Sequence, residues 1–363
     1  MEKLKSAFSP TLVVALFLLI YLGLILAREG GDPLAFARLG DGFQGGQPIG
    51  EQGYDGQFAY YIALDPRPAD VASQLDVPAY RYQRILYPLV ARALALGQPG
   101  AIPWTLVLVN GLSQVVGTFL VERWLVGYGL SRWYALAYGL WAGLLLAVRL
   151  DLNEPLCYAL AAGSILTQQR GHAWRSALCL GLAAFAKETA LLFLAAQIVW
   201  AVLSRNMRFL LPSAFCLLPF ALFQFLLYRW FGTFGLTSGG YLATPFEVIP
   251  FMGLWRIGAV SPAALALFAA IFGPLVVLPA VWGIVTALRR LWVRDFSPAV
   301  WALAANAGLI PFIPFSTFRE PLGLVRLAAG LVLATLWYGA HARSRRVLNY
   351  SLFWLAALAF LRE

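Results

Sequence analysis

Residues that usually carry metal or nucleophile chemistry are scarce in this chain. It has two histidines and three cysteines in 363 residues. His172 and His341 fall in short basic stretches, away from any cluster of carboxylates. Neither a zinc site nor a Ser-His-Asp arrangement can be assembled from them. Cys157, Cys179 and Cys216 all sit inside apolar runs. They read as small packing residues, not as a disulfide framework. Charge is sparse too. Only 12% of residues are Asp, Glu, Lys or Arg, against about 25% in soluble domains. That excludes an ordinary soluble fold. What fills the chain is apolar: 61% hydrophobic and 15% aromatic, with 13 Trp and a mean hydropathy of +0.73. The composition is that of a polytopic membrane protein with much interfacial surface.

Apolar runs approaching the roughly 20 residues that cross a bilayer can be marked along the chain. The first is 10–27. It is longer than the ~7–15-residue core of a secretory signal, and no clear small-x-small cleavage site follows. It reads as a retained first span. A long segment, 28–103, then holds most of the acids and many glycines and prolines. Further runs are 104–121, 133–148, 154–167, 176–186, 190–203 and 210–228. A second polar segment, 229–260, precedes 263–288, 298–315, 322–338 and 347–361. The expectation is about eleven spans in one domain, 1–363, without internal repeats.

The net charge of +10 would suggest nucleic acid in a soluble protein. Its placement says otherwise. Lys3, Lys5, Arg123, Arg132, Arg170, Arg175, Arg205, Arg208, Arg289, Arg290, Arg294, Arg343, Arg345 and Arg346 all fall in alternate loops, accompanied only by Glu2, Glu122 and Asp295. This is the positive-inside pattern. It predicts a cytoplasmic N-terminus and puts segments 28–103 and 229–260 outside. It also makes 176–203 a hairpin of two short helices with Lys187 and Glu188 at its outer tip.

The polar groups of interest then share one face. Asp55 stands between Tyr54 and Gly56, with Glu51 upstream, and opens a short helix. Phe58, Tyr61 and Ile62 share one side of that helix, at i, i+3 and i+4. Such a helix suits the membrane interface, and Asp65-Pro66 ends it. The plain alternative is that Asp55 only caps the helix. From Arg84 a second helix is expected, with Ile85, Leu86, Leu89, Val90, Ala93 and Leu94 as its apolar face. Arg81 and Arg84 at its start can grip a phosphate or merely snorkel to headgroups. Glu154 opens the fourth run. Lys187-Glu188 is either part of a site or a local ion pair. Arg319 and Glu320 precede Arg326, which lies inside the run 322–338, where a charge is costly and marks a substrate path.

These blocks resemble a family. Tyr54-Asp55-Gly56-Gln57-Phe58-Ala59-Tyr60-Tyr61-Ile62-Ala63 is similar to the aromatic-Asp-x-x-x-Tyr-x-x-Ile-Ala stretch of GT-C glycosyltransferases, with the tyrosine displaced to Tyr60 and Tyr61. The nearest pattern is in the mannosyltransferases that add the second mannose of GPI anchors, and in their bacterial relatives. Ile85-Leu86-Tyr87-Pro88-Leu89 is similar to their Pro-Leu-Tyr-Pro-Leu, Glu154 to a glutamate opening the fourth span, and Gly181 through Thr189 to a Gly-x-Ala-x-x-x-Arg-x-Thr turn. The Tyr-Asp-Gly-Gln-Phe block and Arg319-Glu320-Pro321-Leu322-Gly323 also resemble a bacterial group linked to cell-surface glycopolymer formation. There is no adjacent acidic pair at Asp55 and no Asp-x-Asp motif.

The resemblance implies a GT-C-like all-α bundle with interfacial helices in the first outer loop. It implies an inverting hexosyltransferase of the plasma (inner) membrane, moving a sugar from a polyprenyl-phosphate carrier to a hydroxyl of an envelope glycan or glycolipid acceptor. Asp55 would be the catalytic base. Substrate contacts would come from Glu51, Tyr54, Gln57, Tyr61, Arg81, Arg84, Tyr87, Glu154, Lys187, Glu188, Arg319, Glu320 and Arg326. Membrane lipids, donor and acceptor are the expected partners, and nucleic acid is not. No cofactor is required; a divalent metal is compatible but not indicated. The competing classes are a transporter or lipid flippase, and a non-catalytic subunit of a polysaccharide assembly complex.

Overall fold

The computed structural model describes residues 8–44, 46–240 and 244–361; Glu2, Lys3 and Lys5 of the basic N-terminal stretch lie outside it. Among the described residues the chain is helical almost throughout. Its β structure is one short antiparallel hairpin, Phe43–Gln44 with Gln47–Pro48. Helix α1 (Pro10–Arg28) starts at Ser9, whose hydroxyl accepts from the Leu12 N–H. The first polar segment carries α2 (Gly56–Leu64), α3 (Pro78–Tyr82) and α4 (Leu86–Leu94). Then come α5 (Ile102–Gly127), α6 (Ala142–Arg149), α7 (Glu154–Gln169), α8 (Ala173–Ala186), α9 (Leu191–Leu203) and α10 (Met207–Phe231). After the second polar segment follow α11 (Met252–Val260), α12 (Pro262–Phe272), α13 (Leu278–Trp292), α14 (Pro298–Leu309), α15 (Pro321–Leu327), α16 (Ala329–His341) and α17 (Arg345–Phe353).

Among the described residues, five helical stretches are long and apolar enough to cross a membrane: Pro10–Arg28, Pro99–Gly127, Met207–Phe231, Pro262–Trp292 and Pro321–His341. Ala173–Ala186, Glu188–Leu203 and Pro298–Phe312 are apolar but shorter. The class is thus the all-α, membrane-type one that composition implies. On α1 and α10 the outward residues are apolar: Leu19, Ile20 and Leu24, then Leu211, Phe215 and Phe225, each more than half exposed. In water such faces would be an aggregation hazard; against lipid they are ordinary. At the centre lies α16, buried from Ala329 to Ala340.

Where a predicted run breaks, tertiary contacts explain it. Run 133–148 is not one helix. Trp141 leaves the helical conformation (φ −63°, ψ 121°) just before α6. Its indole N–H donates to the Val325 carbonyl at 2.9 Å, and its ring meets Trp354 edge-on. Gly143 adds to the same junction. A Cβ there would lie 2.1 Å from the Val325 oxygen, so glycine lets α6 press against the backbone of α15. This contact sets Arg326, the next residue, beside the α6–α7 turn.

Two expected interfacial faces are used differently. In α2, Phe58 and Ile62 are buried, packing with Val71, Leu75, Tyr82, Ile85 and Leu227 instead of facing lipid. In α4 the buried residues are Tyr87, Pro88 and Ala91. Leu89, Ala93 and Leu94, from the predicted apolar face, are exposed. The inner side of α4 makes a hydrogen-bonded core contact through Tyr87, and its exposed apolar residues are left free to face lipid.

The start of α2 is equally tight. A Cβ on Gly56 would sit 2.2 Å from the Leu150 carbonyl oxygen. Gly56→Ala should therefore wedge α2 off the α6–α7 turn. The expected loss is about 1–3 kcal/mol, typical of overpacking, read as a lower thermal midpoint in detergent. An unchanged midpoint would mean the contact is loose.

Candidate functional site

Three local devices bring distant charges together. The first is the Gly56–Leu150 contact, which fixes Asp55 at the head of α2. The second is the α6–α7 turn. Asp151 takes the left-handed conformation (φ 50°) there, a state that aspartate tolerates better than most residues. The chain then enters α7 with Glu154 in the first turn and a proline next to it, where both residue types favour a helix N-terminus. The third is the extended Lys187 (φ −158°, ψ 134°) that breaks α8 from the turn leading to α9.

The result is a connected network of ion pairs. Asp55 Oδ1 meets Arg81 Nη1 at 3.1 Å, and Asp55 Oδ2 meets Arg326 Nη2 at 3.0 Å. Arg81 also donates to both oxygens of Asp76, at 2.7 and 2.8 Å. Arg326 Nε donates to Glu154 Oε1 at 3.1 Å, and the same oxygen takes Lys187 Nζ at 2.6 Å. Arg326 Nη1 donates to the Tyr54 hydroxyl at 2.6 Å, and that hydroxyl donates to Glu320. Arg84 grips Glu188 with two bonds, at 2.9 and 2.6 Å. Aromatic rings back the guanidiniums: Phe58 lies 4.2 Å from Arg81, and Tyr80 lies 4.3 Å from Arg84. Asp55, Arg81, Arg84, Asn153, Glu154 and Arg326 line one narrow cleft, with Phe58 and Ile62 among its apolar walls.

The plainer readings of these residues do not hold. Asp55 occupies the position before α2 but makes no capping bond; its carboxylate turns to the arginines. Lys187 and Glu188 pair with Glu154 and Arg84, not with each other. Arg81 and Arg84 are buried against carboxylates rather than snorkelling.

Burial within a protein is very unequal around the network. The Asp55 side chain is 32% exposed, whereas those of Asp76 and Glu154 are 1% exposed. Burial on its own would raise the Asp55 carboxyl. The charges of Arg81, Arg326 and Arg84 outweigh it and hold the group well below the usual carboxylate range. Asp55 is therefore ionised at any physiological pH. Its pairing contributes stability above its unfolded value, about 3.9. That contribution is lost only as pH falls through the lower folded value. Burial pushes the Tyr54 phenol up, so it stays protonated and serves as a donor.

Ten of the expected site residues meet here or at the rim: Tyr54, Asp55, Arg81, Arg84, Glu154, Lys187, Glu188, Glu320 and Arg326 in the network, with Arg319 exposed beside it and stacked on Phe315. The other four lie elsewhere. Gln57 is buried and ties the loop together, accepting from the Gly40 N–H and donating to the Gln52 carbonyl. Glu51 is exposed, and its backbone N–H donates to Asp41. Tyr61 packs at the edge of the α2 apolar cluster. Tyr87 is fully buried, donating to the Leu106 carbonyl and accepting from Asn110. Asp76 was missed. Asp76 had a signal: an acid just before a helix opened by Pro78 and five residues before Arg81. Among the described residues no group of histidine, cysteine and carboxylates could hold a metal.

The network offers a half-exposed carboxylate, two fixed guanidiniums beside it and an apolar-walled cleft. Chemically that is a base adjoining an anion-binding pair. No family model, no curated protein and no solved structure matches this chain.

Proposed function

We propose that the chain is an inverting glycosyltransferase of GT-C type. It takes a sugar from a polyprenyl-phosphate carrier and passes it to a hydroxyl acceptor on the extracytoplasmic face of a bacterial plasma membrane. In this reading the apolar runs form about eleven spans, with the N-terminus in the cytoplasm. The observation that carries it is Asp55, the partly exposed carboxylate clasped by Arg81 and Arg326 at the cleft.

In the reaction the acceptor oxygen attacks the anomeric carbon from the face opposite the phosphate. Its proton passes to Asp55. The bond from the anomeric carbon to the phosphate oxygen breaks, and its electron pair leaves with the carrier phosphate. Arg81 and Arg326 balance the charge that grows there. Single displacement inverts the centre; a retaining route would need a second free carboxylate as nucleophile. Glu154 and Asp76 are buried and already bound to cations, which leaves Glu320, bonded to Tyr54 at the rim, as the one other exposed carboxylate of the network. Arg84, paired with Glu188, and Lys187, which shares Glu154 with Arg326, shape the cleft more than they grip the phosphate.

The test is sugar transfer by purified protein in nanodiscs. Radiolabelled polyprenyl-phosphate sugars are offered as a panel with envelope acceptor extract. Labelled product from one donor is the expected result. Movement of the carrier lipid across liposomes, without transfer from any donor, would replace the reading with a flippase.

A further inference from the structure

We propose that Asp55 is a placeholder for the substrate anion: its carboxylate sits on Arg81 and Arg326 at the site that a lipid-linked phosphate takes on binding. The inference rests on the transferase reading and adds an order to it.

The charges of the cleft make the case. Arg81, Arg84, Lys187 and Arg326 face Asp55, Asp76, Glu154 and Glu188. Four cations meet four carboxylates directly, with Glu320 a fifth behind the Tyr54 hydroxyl, so an entering phosphate finds each cation already matched. It must take the place of a carboxylate. Asp76 and Glu154 cannot yield, being almost wholly buried and hydrogen-bonded at 2.6–3.1 Å. Glu188 is held by two bonds to Arg84. Asp55 is the most exposed of the four and touches each arginine through one nitrogen.

The arginines, in contrast, are anchored from behind. Asp76 holds Arg81 through Nε and Nη2, leaving Nη1 for Asp55. Glu154 and Tyr54 hold Arg326 through Nε and Nη1, leaving Nη2 for Asp55. The two outer nitrogens therefore stay in place when the carboxylate swings away. Phosphate oxygens suit such paired guanidinium donors.

The consequence is a sequence of events. While paired, Asp55 is a poor base, since two cations stabilise its ionised form. Phosphate binding takes those cations, and the released carboxylate gains proton affinity beside the acceptor. Donor binding thus arms the base, and an acceptor arriving first meets an unreactive carboxylate. Asp76 is a positioning residue: it acts through Arg81.

The experiment is direct binding, which needs no turnover. The full chain in phosphatidylcholine nanodiscs is titrated with polyprenyl phosphate and, separately, with inorganic phosphate. Asp55→Asn and Asp55→Ala should each bind polyprenyl phosphate about tenfold more tightly than wild type, the scale of one charge-assisted hydrogen bond. Asp76→Asn should bind it more weakly. The same gain with inorganic phosphate would assign recognition to the phosphate alone, and a gain limited to polyprenyl phosphate would assign it to the lipid form. Unchanged or weaker binding in both Asp55 variants would overturn the placeholder. The two readings separate cleanly. Tighter binding with no transfer from any donor keeps the anion site and removes the transferase. Transfer without tighter binding does the reverse.

Discussion

Asp55→Asn is expected to lower sugar transfer by about 10²–10⁴-fold, the usual cost of losing a general base, while the protein stays folded. The two halves of that expectation come from the same contacts. Asparagine has the shape of aspartate but cannot take the acceptor proton. Arg81 keeps Asp76, and Arg326 keeps Glu154 and Tyr54, so neither guanidinium is left without a partner. The side chain is partly exposed, which further limits the cost to the fold. Transfer rates at saturating donor, with size-exclusion profiles and thermal midpoints alongside, check both halves. Full activity in the variant would remove Asp55 from the chemistry. Glu320 is the control. It is exposed and accepts from Tyr54, so it is the other carboxylate able to reach a substrate from the rim. A large loss in Glu320→Gln with none in Asp55→Asn would move the base there. The pH profile supplies a second readout. Because the paired carboxyl lies well below the usual range, free-enzyme kinetics should show no acid limb from Asp55 between pH 5 and 7, on the scale set by unperturbed carboxylates near 3.9.

Much of this site was legible as residue types and little of it as pairings. Charge is rare in the chain, so each carboxylate or arginine near an apolar run stood out. Asp55, Glu154, Lys187 and Arg326 were all visible that way, because a charge in such surroundings needs a partner or a role. The partners were another matter. Lys187 and Glu188 are adjacent, yet each reaches a different helix; the extended backbone at Lys187 aims neighbouring side chains apart, as in a strand. Arg326 contacts Asp55 from 271 positions away, and only the close approach at Gly143 brings it there. Tyr87 shows the opposite error. Its block matched a motif, but the residue serves a buried contact between α4 and α5. The spans were read from hydropathy, and most runs are helical where expected. Run 133–148 failed because a tryptophan hydrogen bond outweighed local helical preference, a contact that no window of sequence contains.

Glu154 is expected to carry the largest share of the network's stability. Its carboxylate is almost fully buried, and a single oxygen receives both Lys187 and Arg326. Glu154→Ala leaves two buried cations short of a partner, and breaking a buried pair from one side costs about 3–5 kcal/mol. Lys187→Met removes one of those cations. Glu154→Ala with Lys187→Met should therefore be less damaging than the sum of the single changes, with a coupling of about 0.5–3 kcal/mol. Denaturant unfolding in mild detergent measures the cycle; strict additivity would mean that the pair contributes nothing. Function should follow a different pattern from stability. Restoring the fold in the double variant does not restore the anchor on Arg326, whose Nε has then lost its acceptor. Donor KM should stay high although the protein is again stable. A recovery of both together would make Glu154 a structural residue alone, while a recovery of stability only would show that the carboxylate holds Arg326 in place for the phosphate.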